Sequence, residues 1–438
     1  MNGLHIFANP YKLDVCFLSQ QTFLLRVSEK STFLASKGSC AMKKIYLHGA
    51  KDRIARHNTI RDINKQIVLN YVRARSPISR AEIARETSLQ RSTVSAIVDD
   101  LTTAGMIEEL GTGDSSGGRK PTLLRLTSGK PVAIGVDVTP LQTRVVLADL
   151  SGNLLEQESF PTSSDIGYMN EQILAKVTAF ANENSEYDLE VGISIPGIAD
   201  QINGNILYIP YFQWTNWDIG QQITNATSLP VTVDNDANAI AVAELWFGEL
   251  EVRRTHNFVT VLVSEGIGTG IVIDGAVYRG EYGAAGEFGH MYVGGNAPVK
   301  CSCGRDDCWE AHASEKAILS RYRSNGGTSD SALVSMEHLI SLAENGEKQA
   351  INALKETAAY LAIGISNLII GFSPKRVVVS GRIVRAWDLI KEEISVQGNR
   401  SIRQELNGTL IVPSTLGESP TTLGSISLVL SKKFVSAT

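Results

Sequence analysis

The most informative part of the sequence lies between residues 286 and 310. It contains Gly286-Glu287-Phe288-Gly289-His290 and, eleven residues after the histidine, Cys301-Ser302-Cys303-Gly304-Arg305-Asp306-Asp307-Cys308-Trp309-Glu310. Three thiolates and one imidazole form a complete donor set for a tetrahedral zinc ion. We therefore predict a structural zinc site at His290, Cys301, Cys303 and Cys308. The alternative is a group of free buried cysteines.

Two carboxylates flank these metal-binding residues. Glu287 precedes His290 by three residues, and Glu310 follows Cys308 by two. A metal that fixes the loop would also fix these side chains, and rigid carboxylates are good acceptors for sugar hydroxyls. Without a metal, two solvated acidic residues would be the simpler interpretation.

A second polar cluster lies upstream, where the run Val233-Asp234-Asn235-Asp236-Ala237-Asn238-Ala239 joins a predicted strand to a predicted helix at 239–247. Asn235 and Asp236 at this junction could grip neighbouring hydroxyls, and Asp236 could act as a general base. The alternative is an ordinary helix cap. A glycine-rich run follows at Ser264-Glu265-Gly266-Ile267-Gly268-Thr269-Gly270, which could cradle a phosphate or simply form a hairpin turn.

Composition limits the class of protein. The 438 residues are 43% hydrophobic and 20% charged, which fits a globular protein and excludes collagen-like and fully disordered chains. The sequence has no apolar run near the roughly 18 residues that a membrane span needs. With only five cysteines and no recognisable signal peptide, we predict a reducing, cytoplasmic location.

Charge divides the chain into unequal parts. Residues 43–130 carry sixteen basic and nine acidic side chains, whereas residues 131–438 carry twenty-one and thirty-five. We predict a DNA-binding domain at 43–130 and an acidic α/β domain at 131–438. Residues 1–42 show no clear periodicity, and we hypothesise that translation starts at Met42.

The basic part has the pattern of a winged helix-turn-helix. A helix is predicted over 58–73, and Ser79 and Glu82 have the spacing of a capping box at the start of a second helix. A third helix over 90–101 begins with short polar residues suited to a major groove, and two strands, 106–110 and 122–126, form a wing with a basic tip. The predicted DNA contacts are Gln90, Arg91, Ser92, Thr93, Ser95, Arg119 and Lys120. A small protein-binding bundle is the alternative.

These motifs together resemble the ROK family of bacterial repressors and sugar kinases, in particular its winged-helix repressors of the xylose and N-acetylglucosamine type. The resemblance covers about residues 55–435, and its most specific part is the pair of motifs at 286–290 and 301–310. It implies a two-lobed, actin-like (ribonuclease H-like) domain. It also implies a sugar site made of Asn235, Asp236, Glu287, His290 and Glu310, with Asp236 matching the catalytic base of the kinases.

The phosphate-binding loops depart from the kinase pattern. Kinase members begin with Asp-x-Gly-x-Thr, but this chain has Asp137-Val138-Thr139-Pro140-Leu141, in which a branched residue and a proline crowd the approach of phosphates. Glu265 adds negative charge to the glycine-rich turn, and the later glycine pair is reduced to Ser380-Gly381-Arg382.

We therefore predict a sugar-responsive repressor of carbohydrate-utilisation genes, without enzymatic activity, in which sugar binding between the lobes weakens operator binding. An ATP-dependent sugar kinase is the alternative, and a DNA-binding protein with a vestigial cleft is a third possibility. The predicted partners are operator DNA and a small sugar, with no membrane; the family resemblance implies a homodimer or homotetramer. The aromatic segment 208–218 would either stack on the sugar or pack in the core.

Overall fold

The computed structural model describes residues 14–17, 23–26, 57–112, 120–201, 203–327, 334–400 and 408–435. Two short strands pair near the start, β1 (Asp14–Phe17) and β2 (Phe23–Arg26). Met42 and the hypothesis of a later translation start lie outside the described residues, as does Arg119 in the predicted wing tip.

The basic part forms a three-helix domain with a small sheet. Its elements are α1 (His57–Arg75), β3 (Ile78–Ser79), α2 (Arg80–Thr87), α3 (Arg91–Thr103), β4 (Ile107–Thr112) and β5 (Thr122–Leu126). Ser79 and Glu82 form the predicted capping box at the start of α2. The wing has three strands in the order β3-β5-β4, one more than predicted, because Ile78 and Ser79 pair with Leu124 and Leu123.

The first lobe of the acidic part is built on a five-stranded sheet. Its elements are β6 (Pro131–Val138), β7 (Gln142–Asp149), β8 (Leu154–Pro161), α4 (Ile166–Glu183), β9 (Glu190–Ile195), β10 (Ile198–Asp200), β11 (Asn205–Ile209), β12 (Trp214–Trp217), α5 (Ile219–Thr227), β13 (Val231–Asn235), α6 (Asp236–Phe247) and α7 (Leu250–Arg253). The sheet order is β13-β9-β6-β7-β8, and β10, β11 and β12 form a separate small sheet.

The second lobe repeats this arrangement. Its elements are β14 (Phe258–Val263), β15 (Ile267–Ile273), β16 (Ala276–Val277), α8 (Trp309–Ala313), α9 (Glu315–Ser324), α10 (Met336–Glu344), α11 (Lys348–Phe372), β17 (Arg376–Ser380), α12 (Trp387–Arg400) and β18 (Leu410–Pro413), with short 3₁₀ turns at Phe288–His290 and Arg382–Ala386. Helix α13 (Pro420–Val435) follows β18 but packs on the first lobe. The sheet order is β16-β15-β14-β17-β18. In both lobes three parallel strands continue into an antiparallel meander. The predicted α/β class and two-lobed architecture are thus confirmed.

Helix α13 returns from the end of the chain to join the parts. It packs on the first-lobe sheet so closely that a Cβ at Gly192 would lie 2.0 Å from the Ser425 carbonyl oxygen. Its other residues, including Ile426 and Phe434, share a core with the winged helix. The winged-helix domain is therefore packed against the first lobe through α13.

Helix α11 is the one helix among the described residues that is long and apolar enough to cross a membrane, and 61% of its most apolar window is buried inside the protein. Its residues Ala353, Leu361 and Ile365 belong to the second-lobe core. Burial of this kind is typical of a core helix in a globular protein.

Some predicted boundaries were wrong. Helix α6 starts at Asp236, before the predicted start at 239, because Asn235 caps it by accepting from the amides of Ala237 and Asn238. The two tryptophans of segment 208–218, Trp214 and Trp217, are buried in the first-lobe core, whereas Tyr211 is exposed. Core packing therefore accounts for both tryptophans.

Candidate functional site

The four predicted metal ligands converge in the second lobe. The donor atoms of His290, Cys301, Cys303 and Cys308 all lie within 4.8 Å of one another. The His290 Nδ1 atom is 3.1 Å from the Cys301 sulfur, and the Cys303 sulfur is 3.4 Å from that of Cys301 and 3.5 Å from that of Cys308. A tetrahedral zinc ion with bonds of about 2.3 Å to sulfur would place the sulfurs about 3.8 Å apart. The cluster therefore has the donor chemistry and nearly the spacing of a four-coordinate metal site.

Glu310 connects this cluster to the glycine-rich turn between β14 and β15. Its carboxylate accepts hydrogen bonds from the Ser302 amide at 2.8 Å and from the Ile267 amide at 3.4 Å. A Cβ at Gly266 would lie 2.5 Å from a Glu310 carboxylate oxygen, so a side chain there would displace the carboxylate. The predicted hairpin is present, and its glycines serve close packing.

Glu287 lies on the other side of the histidine. Its carboxylate is 3.6 Å from His290 Nε2, the ring nitrogen that faces away from the cysteines. Burial, followed by the nearby charge of Glu310, raises the pKa of Glu287, while His290 opposes this shift. His290 thus directs Nδ1 to the cluster and Nε2 to Glu287.

Asn235 and Asp236 occupy the junction between β13 and α6 in the first lobe. Asn235 is the N-cap of α6: its Oδ1 accepts from the amides of Ala237 and Asn238. Its Nδ2 donates to the Gly197 carbonyl at 3.1 Å. The helix-cap interpretation is therefore correct for Asn235, whose amide also holds the Pro196-Gly197 turn.

Asp236 faces the second lobe. Its Oδ1 lies 3.7 Å from the position that a Cβ at Gly268 would take on β15. Burial raises the pKa of Asp236 to about 7, a hydrogen bond from the Ala237 amide opposes this, and the charges of Asp137, Glu287 and Glu265 raise the pKa further. Asp236 and Glu287, predicted from distant parts of the sequence, therefore contribute charge to one cleft between the lobes.

The regions matching the kinase phosphate loops are occupied by the protein's own charges. Arg382 donates to Glu265 at 2.9 Å and to Glu337 at 2.8 Å, and it also makes a very short contact with Glu315. Asp137 is fully buried and accepts from the hydroxyls of Thr421 and Thr422. Glu265 and Arg382, two separate departures from the kinase pattern, are thus one ion-pair network.

Sequence reasoning missed a link between the lobes. Arg279, which follows β16, donates through Nε and Nη2 to Asp234 Oδ2 in β13, at 3.0 and 2.8 Å. Asp234 is only 2% exposed, so the pair is partly withdrawn from water. No local motif signals a contact between residues 45 positions apart.

The predicted DNA-reading helix presents its first turn to solvent. Gln90, Arg91 and Ser92 are exposed, while Thr93 and Ser95 are half-buried. The opposite face of α3 packs inward through Val94, Ile97, Val98 and Leu101. Lys120, at the described end of the wing, is exposed. The described part of the predicted DNA surface is therefore accessible.

This architecture defines a class of protein: a winged-helix DNA-binding domain attached to a two-lobed, actin-like domain with polar residues in its cleft. Residues 133–432 match the ROK family and residues 67–119 match the MarR family. The chain belongs to the ROK family.

Known proteins match this chain over different shares of its length. The xylose repressor of Bacillus subtilis is 32% identical over 382 residues, which cover 86% of this chain and 97% of that protein. The crystal structure of a ROK family transcriptional regulator, a homologue of the E. coli MLC protein, matches with TM-score 0.69 and 24% identity over 86% of this chain and 97% of that chain. A ROK family glucokinase from Streptomyces griseus, in complex with glucose and AMPPNP, matches with TM-score 0.60 and 25% identity over 69% and 99%. The glucokinase match leaves out about a third of this chain.

Proposed function

We propose that this protein is a sugar-responsive, DNA-binding transcriptional repressor of carbohydrate-utilisation genes. The observation that carries the proposal is the union of a MarR-type winged helix with a ROK domain in one chain, which is 32% identical to a relative named xylose repressor. The DNA-contacting residues are Gln90, Arg91, Ser92, Thr93, Ser95, Arg119 and Lys120. Arg91 reads a base edge or a phosphate, and the basic wing tip lies along the backbone.

The sugar binds between the lobes. Asp236 and Glu287 accept hydrogen bonds from sugar hydroxyls. Glu310 and His290 Nε2 complete the polar wall, and Asn235 mainly holds the junction in shape. Support comes from the pKa of Asp236, which the charge of Glu287 on the other side of the cleft helps to raise. The bound sugar favours a closed conformation with lower operator affinity, so induction is a shift between two populations.

Structural zinc held by His290, Cys301, Cys303 and Cys308 maintains the loop that carries Glu310. The Cys₃His donor set and the short distances between its donor atoms favour zinc. With all four positions taken by protein, the ion has a structural role, and sugar contacts come from the side chains around it.

The protein does not phosphorylate its sugar. The ion pairs of Arg382 with Glu265 and Glu337 occupy the region that would receive nucleotide phosphates, and the carboxylates there repel a triphosphate. An ATP-dependent sugar kinase is the second candidate, favoured by the ROK fold and by Asp236 at the position of the base. The repressor acts in the cytoplasm as a homodimer or homotetramer, on paired half-sites about one helical turn apart.

The test starts with DNA fragments selected from a random library by the purified protein. Anisotropy titrations on the selected fragment are then repeated with D-xylose, D-glucose and N-acetylglucosamine. We expect one sugar to weaken DNA binding at least tenfold, with no effect of ATP and magnesium.

A coupled ADP-release assay with the same sugars separates the two candidates. Turnover that Asp236→Asn abolishes would replace the repressor by a kinase. DNA binding that no sugar alters would contradict sugar-responsive repression.

A further inference from the structure

A cleft of about 450 Å³ lies between the DNA-binding domain and the first lobe, away from the sugar site. Its cationic lining comes from both sides: Arg73 and Arg125 belong to α1 and β5, and Arg253 ends α7. Ser128 and Ser151 add hydroxyl groups. Three guanidinium groups therefore meet at the junction of two domains.

These arginines are incompletely paired within the described chain. Arg73 Nε and Nη1 and Arg253 Nε are buried without a hydrogen-bond partner. Arg125 pairs with Glu108 at 2.6 Å. The nearby carboxylate of Asp149 already accepts from the amides of Gly129, Ser151 and Asn153. Buried N–H donors without acceptors destabilise the folded protein, so these guanidinium groups are free to donate to a bound anion.

Arg73 is held in place by aromatic rings. Its guanidinium carbon lies 3.9 Å from the Trp246 ring centroid and 5.1 Å from that of Phe434. Burial, and then the positive charge of Arg253, lowers the pKa of Arg73 to about 9. An anion between the two arginines would offset their mutual repulsion, and guanidinium forks match phosphate oxygens well.

We propose that this interdomain cleft is a second effector site, which binds the phosphate group of a small metabolite and couples the winged helix to the first lobe. The volume falls in the range of small-ligand sites and admits a hexose phosphate. Because the occupant contacts arginines from both domains, it fixes the DNA-binding domain relative to the lobe. This cleft is separate from the sugar site, so the proposed anion site and the proposed sugar site can each be disproved without affecting the other.

Binding is measured on the full-length, metal-loaded protein by calorimetry and by intrinsic tryptophan fluorescence, to which Trp246 contributes, using inorganic phosphate, glucose 6-phosphate and glucose as probes. We expect Arg253→Gln to weaken binding of the phosphate-bearing probe at least tenfold and Arg125→Gln to weaken it several-fold. Arg254→Gln is the matched control, because Arg254 is the exposed neighbour of Arg253, and it should change affinity less than twofold.

The two phosphate probes distinguish possible occupants. Tighter binding of glucose 6-phosphate than of inorganic phosphate identifies a phosphorylated metabolite, and equal binding identifies the free ion; both support an anion site. Arg125→Gln keeps the proposal testable if the Arg253 variant misfolds, because the Arg125 side chain is 43% exposed and its replacement should not disturb folding. Equal affinities of Arg253→Gln and Arg254→Gln would overturn the proposal. So would loss of DNA binding in Arg253→Gln without any phosphate binding by the unaltered protein, which would assign these arginines to the DNA backbone.

Hydrogen exchange measures whether phosphate binding in the cleft stabilises the winged helix. In the unaltered protein, the phosphate probe should slow amide exchange in α1 at least several-fold, and this protection should vanish in Arg253→Gln. Binding that leaves exchange in α1 unchanged would contradict the coupling.

Discussion

Asp236 is the residue whose chemistry most directly controls the proposed sugar site. Its pKa is raised to about 7, so it is mostly protonated at pH 6 and mostly ionised at pH 8. As a carboxylate it accepts sugar hydroxyls, so we expect sugar affinity to rise about tenfold from pH 6 to pH 8. Calorimetric titrations at pH 6, 7 and 8 measure the change.

Two variants test this assignment. Asp236→Asn should bind more weakly and lose the pH dependence, because its amide does not titrate in this range. Asp274→Asn is the control, since Asp274 is an exposed turn residue, and it should keep the original profile. An unchanged pH profile in Asp236→Asn would show that another group titrates.

For individual residues, the sequence identified which side chains matter more accurately than it identified their roles. The metal ligands are recognisable because their spacing is local and their chemistry specific. Asn235 also followed from local pattern, but its commitment to the α6 cap became clear only from the bonds that it accepts from the Ala237 and Asn238 amides. The pairs Arg279–Asp234 and Arg382–Glu315 join residues 45 and 67 positions apart, so no local rule could have found them.

Among the helices, α11 depends on a close contact that a single methyl group would disturb. A Cβ at Gly364 would lie 1.9 Å from the ring of Trp309, which is fully buried and donates to the Tyr360 carbonyl. We expect Gly364→Ala to lower the free energy of unfolding by about 1 to 3 kcal/mol, because the tryptophan must shift in a packed core. Urea denaturation measures this difference.

Gly371→Ala on the same helix is the matched control. Gly371 is exposed and has open space around its Cβ position, so alanine should be neutral or stabilising by about 0.5 to 1 kcal/mol. Equal effects of the two substitutions would mean that helix propensity outweighs packing against Trp309.

Elements with local signals were predicted more accurately than elements defined by distant partners. The capping box located the start of α2, because Ser79 and Glu82 are close in sequence. Strand β3 was missed because it has two residues and exists through pairing with Leu124 and Leu123, more than forty positions away. The start of α6 was placed too late at 239, although its cap, Asn235, is a local signal.

For the whole molecule, connectivity explains how two functions share one chain. The two lobes have equivalent sheet orders, and helix α13 packs on the first lobe while contributing Phe434 to the core of the winged helix. The repeat of the sheet was not visible in local sequence patterns and entered only through the family resemblance. Movement of the first lobe would be transmitted to the DNA-binding domain through α13. We therefore expect single mutations to weaken sugar binding or DNA binding separately, whereas the bound sugar changes DNA affinity.

Cys303→Ser and Arg91→Ala should affect sugar binding and DNA binding separately. Cys303→Ser removes one of the proposed metal donors and should free the loop whose Ser302 amide holds Glu310, so metal content and sugar affinity should both fall, the latter at least tenfold. DNA affinity without sugar should remain. Arg91→Ala should weaken DNA binding by about 1 to 3 kcal/mol while sugar affinity stays the same.

Metal analysis, calorimetry with the sugar and anisotropy with the selected DNA measure all three quantities on each variant. Ser302→Ala is the control for the first, because the amide that Glu310 accepts from is retained. Full sugar affinity in a metal-free Cys303→Ser protein would show that Glu310 keeps its position through the Ile267 amide alone, since that contact comes from the β14–β15 turn and does not depend on the cysteine loop.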